Sequence, residues 1–155
     1  MSLNILTHEF NDLPAQLEKR LGVMADYILV DQKKDKLEVN LKLVSSAEMI
    51  KLNKEFRDKN SDTNVLSFPV SEDMQKISGE LGDIAMSIPY IQTESQNLNR
   101  DAEDHMMHLL AHGILHLLGF DHKADQVASI MEAQEIKYLE FFKIANPYSY
   151  DESRY

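Results

Sequence analysis

Apolar and polar residues alternate along several short stretches in the first half of the chain, a pattern typical of strands with one buried face. The clearest stretch covers residues 37–44, where every second position is Leu or Val. Three shorter stretches have the length and composition of strands, namely residues 3–7, 65–70 and 81–87. Together these four stretches predict a small β-sheet.

Apolar residues at helical spacing predict helices between and after these strands. A first helix is predicted after Leu13-Pro14, and Ser45 to Glu48 has the S-x-x-E form of a capping box that begins a second. Three more helices are predicted later in the chain, over residues 88–98, 101–118 and 124–142. The segment before the last strand, which contains Gly79, is predicted as a loop.

The order of these elements, with strands early and long helices late, predicts an α+β fold. No repeat, low-complexity stretch or linker divides the 155 residues, so residues 1–155 are expected to form one domain. The chain has no cysteine, which excludes disulfides, thiolate metal sites and a cysteine nucleophile. No signal sequence or membrane-spanning segment is predicted, so the expected location is the cytoplasm and no membrane partner is expected.

The acidic composition argues at first against a nucleic-acid partner, because 16 Lys and Arg against 26 Asp and Glu give a net charge of −10. The charge is unevenly distributed. Residues 1–70 hold 10 basic and 11 acidic side chains, a net charge of −1, whereas residues 71–155 hold 6 and 15, a net charge of −9. Lys51, Lys54, Arg57 and Lys59 lie close together, so a local cationic surface is compatible with the overall charge.

Four of the six histidines lie between residues 108 and 122. On a helix His112 and His116 are one turn apart, so their imidazoles can converge on one metal ion, whereas His108 and His116 are two turns apart, too far for both. Gly119 permits the chain to turn back and present His122 as a third ligand. Three histidines with an open fourth position predict one catalytic zinc ion per chain, although another divalent metal is possible.

The remaining histidines are expected to have other roles. His108 is predicted to support a ligand or to face the substrate, with simple packing as the alternative, and His8 and His105 are expected at the surface. Asp121 has two open interpretations, since an aspartate at this position either orients a metal ligand or is an ordinary turn residue.

The residue after His112, the first predicted ligand, restricts the type of reaction that the site can catalyse. In the H-E-x-x-H motif of zinc peptidases that residue is the glutamate that acts as general base, and here it is Gly113. A peptidase of that type therefore lacks its base. The charge that develops when water attacks would need a cationic side chain from another part of the chain.

The histidine block, His112-Gly113-Ile114-Leu115-His116-Leu117-Leu118-Gly119-Phe120-Asp121-His122, resembles the signature of the bacterial YbeY family of metal-dependent endoribonucleases. Other blocks resemble that family in the same order and cover most of residues 50–135. They are Leu52-Asn53 with Phe56-Arg57, Thr63 to Pro69, Leu81 to Ile84, and Met131-Glu132 with Glu135. Two positions depart from the family, which usually has Asp at Asn64 and Tyr at Phe120.

The resemblance implies a small mixed β-sheet packed with helices, with the histidine helix at its centre. It implies that His112, His116 and His122 bind zinc and that Arg57 and His112 are catalytic. The implied activity is cleavage of single-stranded RNA in ribosomal RNA processing, including 3′ end maturation of small-subunit rRNA, and in ribosome quality control. The implied partners are ribosomal RNA, the ribosome and its associated proteins, and DNA is not expected.

Two alternatives stay open. One is a metallopeptidase-like hydrolase that uses a different base. The other is a non-catalytic, ribosome-associated protein in which the metal only stabilises the C-terminal helices. Ser67 is a candidate for substrate contact, although a serine in an alternating strand is usually structural.

Overall fold

The structure, a computed structural model, describes residues 2–7, 13–121 and 124–148. Within these residues four strands and six helices follow one another along the chain. Their bounds are β1 Leu3–Thr7, α1 Ala15–Asp31, β2 Glu38–Val44, α2 Ser46–Arg57, β3 Val65–Pro69, α3 Glu72–Ser78, β4 Glu80–Ser87, α4 Ile88–Asn97, α5 Ala102–Leu117 and α6 Asp125–Phe141.

The strands form one mixed sheet in the order β1-β2-β4-β3. The pairs β1–β2 and β2–β4 are parallel, and β3 pairs antiparallel with β4 at one edge of the sheet. The predicted α+β class and mixed sheet are therefore confirmed. None of the helices in the described ranges combines the length and apolar character that crossing a membrane requires.

Helix α5 lies at the centre of the fold. It contacts α1, α4 and α6 as well as strands β3 and β4, and most of its side chains are buried. The main core forms where one face of the sheet meets these helices, and it includes Leu41, Ile84 and Leu110. Helix α2 packs on the opposite face in a second, smaller cluster that includes Met49 and Leu66.

The predicted loop before the last strand is wrong, because these residues form helix α3. The Ser71 hydroxyl accepts a hydrogen bond from the Met74 N–H at 3.3 Å and caps the start of the helix. Gly79 ends it in the left-handed conformation, with φ of 74°. No residue of α3 is buried, so the helix lacks the apolar stripe that predicts the other helices.

Candidate active site

Helix α5 brings His112 and His116 together. The helix begins at Asp101, whose side chain accepts a hydrogen bond from the Asp104 N–H at 3.0 Å. One turn separates the two histidines, and their Nε2 atoms lie 3.1 Å apart. Two nitrogen ligands of one tetrahedral zinc ion are roughly 3.3 Å apart, given bonds of about 2.0–2.1 Å, so this pair fits a shared metal ion.

The helix ends with the turn predicted at Gly119, which has a φ of 101°. The Phe120 N–H donates to the Leu115 carbonyl and the Gly119 N–H donates to the His116 carbonyl, the two bonds of a Schellman motif. His122 and His8 lie outside the described residues. Among the described residues, no group of three histidines and carboxylates forms a metal-binding cluster. The metal site and its three histidine ligands therefore stay a prediction.

A cavity of about 290 Å³ opens beside the histidine pair. Its far wall consists of the end of α2, the loop after it and strand β3. We call it the histidine cavity; it is lined by Asn53, Arg57, Lys59, Ser61, Asp62, Thr63, Asn64, Val65, Leu66, Ser67, His112 and His116. The structure thus brings the predicted Arg57, His112 and His116 to one cavity, although more than fifty residues separate Arg57 from His112 in sequence.

Local hydrogen bonds position the wall that carries Arg57. Helix α2 begins at Ser45, whose hydroxyl accepts from the Glu48 N–H at 3.2 Å, and ends where Asp58 adopts the left-handed conformation. The buried Asn53 side chain then donates to the Ser61 carbonyl at 2.8 Å and holds the loop against the helix. Asp62, a carboxylate that the sequence analysis did not single out, lines the cavity and accepts from the Thr63 N–H at 2.9 Å.

Gly113 packs against the sheet. A Cβ atom at this position would lie 2.9 Å from Ile84 Cδ1 and 3.3 Å from Ser67 Oγ, so glycine lets α5 approach β3 and β4 closely. The Ser67 hydroxyl donates to the Gly113 carbonyl at 3.3 Å. The position at which a zinc peptidase has its glutamate base therefore faces tightly packed protein.

A buried carboxylate, Glu135 of α6, lies behind the histidine pair and is 1% exposed. Its Oε1 atom accepts from His108 Nε2 at 2.6 Å and from the Tyr148 hydroxyl at 2.9 Å, and it lies 3.4 Å from His112 Nδ1. A proton on Nδ1 of His112 would leave the Nε2 lone pair free for a metal, so Glu135 lies where it can orient this imidazole.

The charge of Glu135 depends on the histidines that surround it. Burial by itself raises the pKa of Glu135, but hydrogen bonds from His108 and His112 outweigh it and lower the pKa to about 2. His108 therefore contacts the candidate site through Glu135, and its role in supporting a metal ligand stays a prediction. The sequence does not predict Glu135 as a partner of the histidines. Apart from its place in a block that resembles the family, its local signal is a helical spacing shared with the buried Met131 and Tyr138.

The expectation that His105 lies at the surface is wrong, because this residue is 4% exposed. Its Nε2 atom donates to Glu94 Oε1 at 2.6 Å, and burial lowers the pKa of His105 although this hydrogen bond acts in the opposite direction. The same Glu94 oxygen accepts from Asn64 Nδ2 at 2.9 Å. His105 thus belongs to a partly buried polar network that reaches Asn64 in the lining of the histidine cavity.

The sequence itself decides which family this fold and site represent. Residues 6–143 match the family described as Endoribonuclease YbeY. The chain belongs to the YbeY endoribonuclease family. The resemblance drawn from the histidine block is therefore confirmed over nearly the whole chain.

Individual relatives agree with this assignment. The chain is 36% identical to an Endoribonuclease YbeY of Francisella tularensis subsp. novicida (strain U112), over 99% of this chain and 96% of that protein. It is also 36% identical to an Endoribonuclease YbeY of Francisella tularensis subsp. mediasiatica (strain FSC147), over 96% of this chain and 93% of that protein. The solution structure of TM1509 from Thermotoga maritima has a TM-score of 0.64 and 27% identity, over 98% of this chain and 93% of that chain.

The structure also shows the surroundings of the two residues that depart from the YbeY pattern. Asn64 pairs with Glu94, a carboxylate to which an aspartate in its place would be a like-charged neighbour. Phe120 packs against the main core. Asp121 directly precedes residues outside the described ranges, and both interpretations of it stay open.

Proposed function

We propose that this member of the YbeY family is a metal-dependent endoribonuclease of the cytoplasm that cleaves single-stranded RNA. Its proposed roles are ribosomal RNA processing, including 3′ end maturation of small-subunit rRNA, and ribosome quality control in contact with the ribosome and its associated proteins. The names of its relatives support an endoribonuclease, and the proposed metal is zinc, one ion per chain, bound by His112, His116 and His122.

The observation that carries this proposal is the pairing of a cation with two converging imidazoles across one cavity. Arg57 and Lys59 line the same cavity as His112 and His116. A metal site alone is compatible with many reactions, but a guanidinium in the same cavity suits a substrate that gains negative charge as it reacts. A phosphodiester attacked at phosphorus is such a substrate.

Arg57 and the buried Glu135 each have a defined task in this mechanism. The Arg57 guanidinium forms two parallel hydrogen bonds with a phosphate and stabilises the charge that accumulates in the transition state. Glu135 holds His112 in the tautomer and orientation that leave Nε2 directed into the cavity. A bound divalent ion would supply Lewis acidity that stabilises charge on phosphoryl oxygen and favours ionisation of the attacking water.

The test is cleavage of a labelled single-stranded RNA by purified, zinc-loaded wild type and by His112→Ala, His116→Ala and Arg57→Ala. We expect each variant to lose activity roughly hundredfold to thousandfold, the usual cost of removing one group that stabilises the transition state. Arg20→Ala is the matched control, since Arg20 pairs with Glu103 and Asp104 outside the cavity. Cleavage at the wild-type rate by nuclease-free His112→Ala would refute the proposal.

The same preparations distinguish the alternatives. A peptidase that uses a base other than a residue at position 113 would cut unstructured peptides and leave the RNA intact. A purely structural metal would be four-coordinate with protein donors only, whereas an enzyme keeps an exchangeable water in the fourth position. X-ray absorption spectroscopy of the zinc-loaded protein distinguishes these two coordination types.

A further inference from the structure

Strand β3 is the edge strand that borders the histidine cavity. In an antiparallel pair, alternate residues direct their N–H and C=O groups toward the partner strand. The Ser87 N–H donates to the Asn64 carbonyl and the Val70 N–H donates to the Leu81 carbonyl, so even-numbered residues of β3 face β4. The backbone groups of Val65, Ser67 and Pro69 therefore point to the free edge.

These three residues differ in what they can donate. The Val65 N–H already donates to the side-chain oxygen of Asn64 at 2.7 Å. Pro69 has no N–H. Along β3 this leaves the N–H of Ser67 as the donor that points out of the edge, and Ser67 lines the cavity together with His112 and His116.

The groups around the Ser67 N–H indicate which kind of ligand can bind it. A backbone N–H requires an acceptor. The cavity lining carries two cations, Arg57 and Lys59, against one carboxylate, Asp62, so an anionic oxygen fits best. Addition of a peptide strand would instead use donors and acceptors at every second residue of the edge. Because Val65 and Pro69 offer no donor, β3 is poorly suited to a peptide and well suited to a single anionic group.

The geometry points to the Ser67 N–H as a substrate-binding group that donates a hydrogen bond to a non-bridging phosphate oxygen of the RNA. This inference rests on the proposed function and names the part of the substrate that the edge of β3 binds. The Ser67 hydroxyl has a separate task, because it is directed inward to the Gly113 carbonyl. The backbone and the side chain of one residue thus serve substrate binding and helix packing respectively.

The first test removes the N–H with Ser67→Pro. Proline is tolerated in an edge strand where the N–H points away from the sheet, so the fold is expected to survive. We expect kcat/KM for single-stranded RNA to fall roughly ten- to hundredfold, the range for one hydrogen bond to a charged group. Ser67→Ala keeps the N–H and shows how much kcat/KM falls when only the hydroxyl is lost. The inference requires that kcat/KM of Ser67→Pro is about tenfold lower than that of Ser67→Ala.

A second variant keeps the test decisive if Ser67→Pro does not fold. An α-hydroxy acid at position 67 replaces the amide N–H by an ester oxygen and preserves the side chain. Its readout is a pair of substrates with sulfur in place of either non-bridging oxygen of the scissile phosphate. Wild type should cleave the substrate with sulfur at the contacted oxygen more slowly than the unmodified RNA. The ester variant, which lacks the N–H, should cleave both substrates at the same reduced rate.

The outcomes separate this inference from the proposed function. If wild type cleaves RNA and the ester variant cleaves it equally fast, the Ser67 inference is wrong and the nuclease stands. If wild type does not cleave RNA, the proposed function fails and the inference fails with it. If wild type cuts peptides and the ester variant loses that activity, the edge of β3 binds peptide instead.

Discussion

Asn64, which stands where the family usually has aspartate, forms hydrogen bonds that require an amide. Its amide donates to Glu94 and its oxygen accepts from the Val65 N–H, while His105 donates to the same Glu94 carboxylate. An amide can serve both partners because it has a donor and an acceptor. An aspartate, the usual family residue here, would offer acceptors only and would face a second carboxylate.

Asn64→Asp is therefore expected to destabilise this protein even though it restores the usual family residue. The lost hydrogen bond and the like-charge contact should lower the free energy of unfolding by about 1–3 kcal/mol at pH 7. Urea denaturation at pH 7 measures this loss.

Asn60→Asp is the matched control, because Asn60 is exposed in the loop after α2 and the change in charge is the same. The control variant should differ from wild type by less than about 0.5 kcal/mol, as exposed substitutions usually do. Equal stability of the two variants at pH 7 would show that Asn64 does not depend on Glu94.

At the scale of elements, glycines set how closely helices and strands approach. Gly82 of β4 is the tightest case, since a Cβ there would lie 2.5 Å from the Phe68 carbonyl oxygen and 2.7 Å from Leu117 Cδ2. The first contact is with backbone of β3 and the second with the last turn of α5. The absence of a side chain at Gly82 therefore lets the edge strand of the cavity and the helix that carries the histidines both pack closely against β4.

Gly82→Ala should lower the free energy of unfolding by about 3 kcal/mol, because the backbone of β3 must shift to admit the methyl group. Gly79→Ala is the control, because it changes the backbone preference of a glycine position without a steric clash. Gly79 has a φ of 74°, and, apart from its two chain neighbours, a methyl group there would have no atom of the described residues within 4 Å. Its substitution should therefore cost only about 1 kcal/mol, for the left-handed conformation. Thermal and urea unfolding compare the two, and a smaller loss for Gly82→Ala would contradict the packing described.

At the scale of the whole molecule, the distribution of charge matters more than its sum of −10. The exposed Lys51, Lys54, Arg57 and Lys59 belong to α2 or the loop after it, and the last two line the histidine cavity. The acidic excess lies in residues 71–155. RNA is thus expected to bind through a few local contacts, with weak non-specific affinity elsewhere on the protein.

RNA binding should consequently depend only modestly on salt. Two to four phosphate contacts give a slope of log Kd against log salt of roughly 1.4 to 2.8 for a single strand. Lys59→Ala should lower that slope by about 0.7, the value of one contact. Fluorescence anisotropy with His112→Ala protein, which is expected to leave the RNA intact, measures the slope.

Lys34→Ala is the control for this measurement. Lys34 is an exposed lysine that lines a separate cavity with Lys33, Lys36 and Lys76, so its removal changes the net charge equally and should leave the slope unchanged. A lower slope in Lys34→Ala with no change in Lys59→Ala would place the RNA on that other surface.

The sequence by itself determined what depends on neighbours a few residues apart. Alternation and local composition predicted the four strands, and the caps and apolar spacing predicted five of the six helices within the described residues. The spacing of His112 and His116 placed two imidazoles on one turn. The block around them also identified the family. These properties follow from the periods of helix and strand, which are local.

Only the tertiary structure decided which distant residues meet. His105 is buried because Glu94 and Asn64, from other elements, satisfy it, and Glu135 becomes the partner of His108 across 27 positions of sequence. The direction of the Ser67 N–H follows from the register of β3 on β4. Such contacts depend on how elements pack and pair, and no local period specifies that arrangement.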